Sequence, residues 1–106
     1  MGTQARAVLL HGLADPSRLA LVEALVPGPR RVSHLVEATG LTQSNVSKHL
    51  ACLHDCGLVD RERRGREIHY RLVPGITAVL AAADEVLAVS GERVLSCPRY
   101  GRRAAA

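Results

Sequence analysis

Cys52 and Cys56 stand four residues apart in 49-HLACLHDCGLV-59, and a third cysteine, Cys97, lies near the C-terminus. On a helix, residues i and i+4 sit one above the other with Cβ atoms about 5–6 Å apart. Two thiolate sulfurs so placed can converge on one ion at metal–sulfur distances of roughly 2.3 Å or more. Soft thiolates select soft or borderline metals over magnesium or calcium, and three of them without imidazole shift the preference toward heavy soft ions. The plain alternative is that cysteine serves as a small hydrophobe and is simply buried. A redox alternative also stands, because the i, i+4 Cα separation of about 6 Å lies within the disulfide range, although helical Cβ directions suit a bridge poorly.

The histidines add less. His49 lies three residues before Cys52 and could serve as a further ligand, but it reads better as a DNA-facing or helix-packing side chain. His54 points well around the helix from both thiols, and His11, His34 and His69 receive no role. A different chemistry is suggested just upstream, where Thr42, Gln43, Ser44, Asn45, Ser47, Lys48 and His49 form a polar run. Asn and Gln can pair with an adenine edge, while Ser, Thr and Lys can contact bases or phosphates. A solvated helix face is the ordinary alternative for such a run. Downstream, Arg61, Arg63, Arg64, Arg66 and Arg71 face only Glu62 and Glu67. A basic tip at Arg64-Gly65-Arg66 suits a DNA backbone or minor groove and would bring strong salt dependence.

The elements that must hold these residues are marked by punctuation. The segment 4-QARAVLLHGLA-14 is helix-compatible. In 15-DPSRLALVEALV-26, Asp15 is placed as N-cap and Pro16 as the first helical residue, with Leu19, Leu21, Val22, Leu25 and Val26 as the buried face. The break 27-PGP-29 ends that helix. A short helix in 31-RVSHLVEAT-39 stops at Gly40, and Thr42 caps the next, about 42–56, whose Val46, Leu50 and Leu53 fall at i, i+4, i+7. The period then becomes two: 58-LVDRER-63 and 67-EIHYRL-72 read as a hairpin around 64-RGR-66. A last helix is expected over about 76–90, ended by Gly91. Residues 1–91 thus form one domain and 92–106 a basic tail carrying Cys97, Arg99, Arg102 and Arg103, with Gly91 and Pro98 making it a mobile arm. The class is mainly α with a small β-hairpin, in the order of a winged helix-turn-helix whose second helix enters the major groove.

At 13-LADPSRLALVEAL-25, 41-LTQSNVSKHLACLHDCGLV-59 and 63-RRGREIHYRL-72, in that order and at that spacing, the chain resembles the ArsR/SmtB family of metal-responsive repressors. The resemblance covers about residues 5–90. Its arsenic- and zinc-type cysteine cluster near the start of the third helix has no counterpart in 30-RRVSHL-35. Its Asp/His site on the last helix has none in 76-ITAVLAAADEVLAVS-90, which lacks histidine. The cysteines instead are similar to those of the family's cadmium/lead sensors, which use two such helix cysteines and one from the C-terminal region. That resemblance implies Cys52, Cys56 and Cys97 as ligands of a divalent soft ion, cadmium or lead with zinc as a further candidate. It favours Cys97 acting across a dimer, a point the residues themselves leave open.

Composition fits this expectation. The 106 residues are 47% apolar, with no Trp or Phe and only two Tyr, so the core is Leu, Val and Ala. That scarcity argues against modules that stack single-stranded bases on exposed rings. The net charge of +4 is compatible with nucleic acid. Three cysteines behind an N-terminus without an apolar h-region point to a reducing cytosol rather than a disulfide framework, and 78-AVLAAA-83 is far short of a membrane span. The expected protein is a homodimeric, metal-released repressor of double-stranded operator DNA and not an enzyme, since no acidic orienting residue accompanies the thiols. A thiol-redox repressor, sensing peroxide or polysulfide, and a non-DNA-binding interaction module are the rivals.

Overall fold

The structure, a computed structural model, describes residues 2–101. Five helices and three short strands follow in the order α1 (Thr3–Leu13), α2 (Pro16–Leu25), β1 (Arg30–Arg31), α3 (Val32–Thr39), α4 (Gln43–Asp55), β2 (Val59–Arg64), β3 (Glu67–Leu72) and α5 (Ile76–Leu95). This is a winged helix-turn-helix. The chain divides into two compact units, one ending at Pro74 and one beginning at Gly75.

In the first unit the expected caps form. The Asp15 carboxylate accepts the Arg18 N–H at 3.0 Å and Pro16 opens α2. The interior is aliphatic: Leu21, Val22 and Leu25 from α2, Leu35 from α3, Val46, Leu50 and Leu53 from α4, and Leu58 and Val59 at the start of the wing. Each such leucine contributes about 1.5–3 kcal/mol by leaving water. The buried face of α2 is narrower than expected. Val26 is 47% exposed because the helix has ended at Leu25 and Val26 begins the exit turn. Leu19 is only half-buried.

Two further features leave no mark in the sequence pattern. Arg30 and Arg31 form a third antiparallel strand, giving the order β1-β3-β2, with Arg30 opposite Tyr70 and Arg31 opposite His69. Gly12 is a close-approach glycine, since a Cβ there would lie 3.0 Å from Leu58 Cδ1.

The second unit corrects the expected end of the last helix. α5 runs through Gly91 to Leu95, because a glycine with negative φ costs a helix only about 1 kcal/mol and 92-ERVL-95 favours continuation. The expected mobile arm is, as far as Gly101, a turn folded against the end of α5. Cys97 N–H bonds the Val94 carbonyl at 3.1 Å and Gly101 N–H bonds the Cys97 carbonyl at 2.8 Å. A Cβ at Gly101 would come within 2.2 Å of the Leu95 carbonyl oxygen, so the turn admits only glycine there. Arg102 and Arg103 lie outside the described residues.

Candidate DNA-reading surface and thiol site

The turn between α3 and α4 is built from local hydrogen bonds. Gly40 takes φ 73 and returns its N–H to the Val36 carbonyl at 2.9 Å, a conformation that suits a residue without Cβ. Thr42 then caps α4, its Oγ1 accepting the Asn45 N–H at 3.1 Å. The N–H groups of Gln43 and Ser44 in this first turn have no intrahelical carbonyl to reach, which leaves them for a phosphate. Gln43, Ser44, Asn45, Ser47 and Lys48 are exposed, while Val46 and Leu50 between and after them are buried. His49 is half-buried. It lies within electrostatic reach of Asp15, whose carboxyl is held low chiefly by the Arg18 backbone N–H, with the charges of Arg18 and His49 adding.

On the wing, register decides which side chains share a face. Arg66 is exposed in the two-residue tip. Arg64 is exposed but not free, since its guanidinium donates to Glu62 Oε1 from Nε at 2.6 Å and also from Nη2. Arg63 Nε donates to the Gly65 carbonyl at 3.1 Å, bracing the tip.

Cys52 and Cys56 lie one turn apart at the far end of α4. Cys52 is in the last turn, Cys56 is the C-cap, and the Cys56 N–H bonds the Cys52 carbonyl at 3.0 Å. Both residues are free and exposed. Cys56 also lines an apolar groove of about 390 Å³ with Gln4, Ala5, Val8 and Leu9 of α1 and with Leu58. Desolvation there pushes its thiol up from the usual range. The neighbouring Cys52 thiol and the Asp55 carboxylate push the same way, and Arg18 opposes them. The helix therefore places two soft donors one turn apart at its C-terminal end. Among the described residues no three His, Cys, Asp or Glu side chains gather closely enough to hold a metal ion.

Cys97, in the second unit, has a different environment. The backbone N–H groups of Arg99 and Tyr100, and then of Gly101, lower its pKa against a smaller opposing effect of burial. Sequence reasoning did not find this turn, nor the role of Arg18. The Arg18 guanidinium closes the C-terminus of α1 by donating to the Gly12 carbonyl at 2.7 Å and the His11 carbonyl at 3.1 Å. The available signals were Gly101 four residues after Cys97 and an arginine just inside a Pro-initiated helix.

Comparison with known proteins identifies a family and a fold. A family model described as "Bacterial regulatory protein, arsR family" matches residues 15–61. The chain is 37% identical over 87 residues to a probable mercury resistance operon repressor of Streptomyces lividans, covering 82% of this chain and 70% of that one. It is 44% identical over 72 residues to the HTH-type transcriptional regulator CmtR of Mycobacterium tuberculosis, covering 68% of this chain and 61% of CmtR. Among solved structures, the homodimeric winged helix-turn-helix DNA-binding domain Mb0332 of Mycobacterium bovis superimposes with a TM-score of 0.69. It shares 31% identity, over 83% of this chain and 82% of that one. No helix among the described residues is long and apolar enough to cross a membrane.

Proposed function

The chain belongs to the arsR family of bacterial regulatory proteins, and from that premise we propose that it is a cytosolic, homodimeric repressor released from operator DNA by a thiophilic divalent ion. As a member of that family it is a DNA-binding transcriptional regulator and not an enzyme. The observation that carries the finer reading is that Cys52 and Cys56, free, exposed and one turn apart, end the same helix whose first turn presents Gln43, Ser44 and Asn45. Cys52 and Cys56 supply two thiolates and Cys97 the third, a donor set suited to cadmium or lead, with zinc as a further candidate. The Streptomyces relative, by its name a mercury resistance repressor, adds mercury to that set.

Reading follows from α4 and the wing. Thr42 fixes the first turn, and Gln43, Ser44, Asn45, Ser47 and Lys48 contact the major groove, with His49 behind them and the basic wing, tipped by Arg66, beside them. Dimerisation is supported by the Mycobacterium bovis homodimer and by exposed apolar side chains on α1 (Val8, Leu10) and on α5 (Val86, Leu87, Val89). Two-fold symmetry then requires an inverted-repeat operator with half-sites about 34–36 Å apart, or a multiple of that.

Binding at the thiols fastens the end of α4 to the segment after α5. If the fastened arrangement fits DNA less well, metal weakens DNA binding by the same coupling free energy with which DNA weakens metal binding.

Cadmium titration of the reduced protein, following the ultraviolet thiolate-to-metal band, tests the reading. Cys52→Ser, Cys56→Ser and Cys97→Ser would run beside it, each with a DNA-release assay. A saturating band that needs all three thiols and dissociates the operator is expected. A band indifferent to Cys97, or none, would move the sensing chemistry to redox.

A further inference from the structure

The wing's charges are sorted between its two faces. Val59, Arg61 and Arg63 of β2 stand opposite Leu72, Tyr70 and Ile68 of β3, and Arg30 of β1 is also in register with Tyr70. This face therefore carries Arg30, Arg61 and Arg63 with no acidic residue. On the reverse face Asp60, Glu62 and Glu67 alternate with Arg31, Arg64 and Arg71.

Those six are paired among themselves. Arg31 donates to Glu67, Arg64 to Glu62, and Arg71 lies 3.7 Å from Glu62 and 4.0 Å from Asp60. By contrast, Arg30, Arg61, Arg63 and Arg66 make no ion pair among the described residues. Three carboxylates match three guanidinium groups on one face, while three arginines on the other, with Arg66 at the tip, are uncompensated.

We propose that the wing engages the DNA phosphates through Arg61 and Arg63, supported by Arg30 and by Arg66 at the tip, and that Arg64 contributes little. The proposal rests on the DNA-binding reading above. It replaces Arg64 by two residues of the opposite parity and adds one from the two-residue strand. The reason is the local field more than the strength of the pairs, since exposed ion pairs are worth only about 0–1 kcal/mol. A phosphate drawn to Arg64 also approaches Glu62, so bringing it near displaces little bound counterion. A phosphate at Arg61 or Arg63 meets cationic charge alone. Ile68, 40% exposed beside Arg63, leaves that side open rather than packed.

The test is the salt dependence of binding to a labelled mixed-sequence DNA duplex, for the full chain and for Arg61→Ala, Arg63→Ala, Arg64→Ala and Glu62→Gln. The log–log slope scales with the number of phosphates the protein neutralises, by about 0.9 for each one. Arg61→Ala and Arg63→Ala are each expected to flatten it by about that amount, Arg64→Ala to leave it unchanged, and Glu62→Gln to steepen it by releasing Arg64. All four positions are on the wing surface, and a thermal melt of each variant establishes that it is folded. A flattening by Arg64→Ala equal to that of the other two arginines would overturn the assignment. A parent chain that binds no duplex even at low salt would instead overturn the DNA-binding reading beneath it.

Discussion

Thr42→Ala isolates the one side-chain bond that starts the DNA-reading helix. Thr42 Oγ1 accepts the Asn45 N–H at 3.1 Å, and replacing such a cap by alanine costs about 1 kcal/mol. In a domain of this size that lowers Tm by roughly 4–8 °C. With native stability of about 5–15 kcal/mol, the variant stays almost wholly folded at room temperature. Any loss of DNA affinity must then come from fraying of the first turn, which presents Gln43 and Ser44. A local penalty of about 1 kcal/mol corresponds to at most about fivefold weaker binding. Thr42→Ser keeps the acceptor oxygen and should behave as the parent does. Melts followed by circular dichroism, paired with duplex titrations at fixed salt, give both quantities. An unchanged Tm in Thr42→Ala would refute the capping argument, and an unchanged Tm with lost affinity would show that the hydroxyl works only through DNA.

Other outcomes follow from the same geometry. Because the Cys56 thiol is pushed above its usual value, metal entry must displace its proton, so apparent cadmium affinity should rise with pH. Cys56→Ser should lose about one tenfold step per pH unit from that dependence, and equal slopes would contradict it. Asp15 has a lowered carboxyl pKa, so its contribution to stability is present above its ordinary value of 3.8 and is lost as pH falls through the folded-state value. Melts across pH 2–6 (an approximate range set by that linkage) should show this acid loss shrinking in Asp15→Ala. Gly91→Ala should stabilise the chain by roughly 0.5–1 kcal/mol, since the added Cβ meets Leu87 Cβ at an ordinary 3.9 Å. A fall in Tm would mean that the glycine serves another purpose.

Local signals carried much of the fold. Asp15-Pro16 and Gly40 to Thr42 mark helix ends whose capping bonds form as their chemistry predicts, and the alternation in 67-EIHYRL-72 gives the wing its two faces. The features that escaped were either too short or too distant to leave a pattern. Two residues cannot display a period, so β1 is invisible until Tyr70 and His69 lie beside it. Gly91 looks like a helix stop because glycine is also the residue that helices end on, and only a positive φ separates the two uses. In the candidate site, the placement of Cys52 and Cys56 one turn apart was legible from an interval of four. The engagement of Arg64 by Glu62 was not, because composition counts arginines without saying which carboxylate shares their face.

The thiol pair sits at one end of α4 and the polar reading residues at the other. At 1.5 Å per residue, Thr42 and Cys56 are about 21 Å apart along one rod. Such a rod acts as a lever pivoting on the buried Val46, Leu50 and Leu53. Turning it by about 10° changes the offset between its ends by roughly 3.5 Å over that length, well beyond the latitude of a hydrogen bond to a base edge. An ion held at the heel of this helix would therefore need no relay through the core to disturb DNA contacts at its toe.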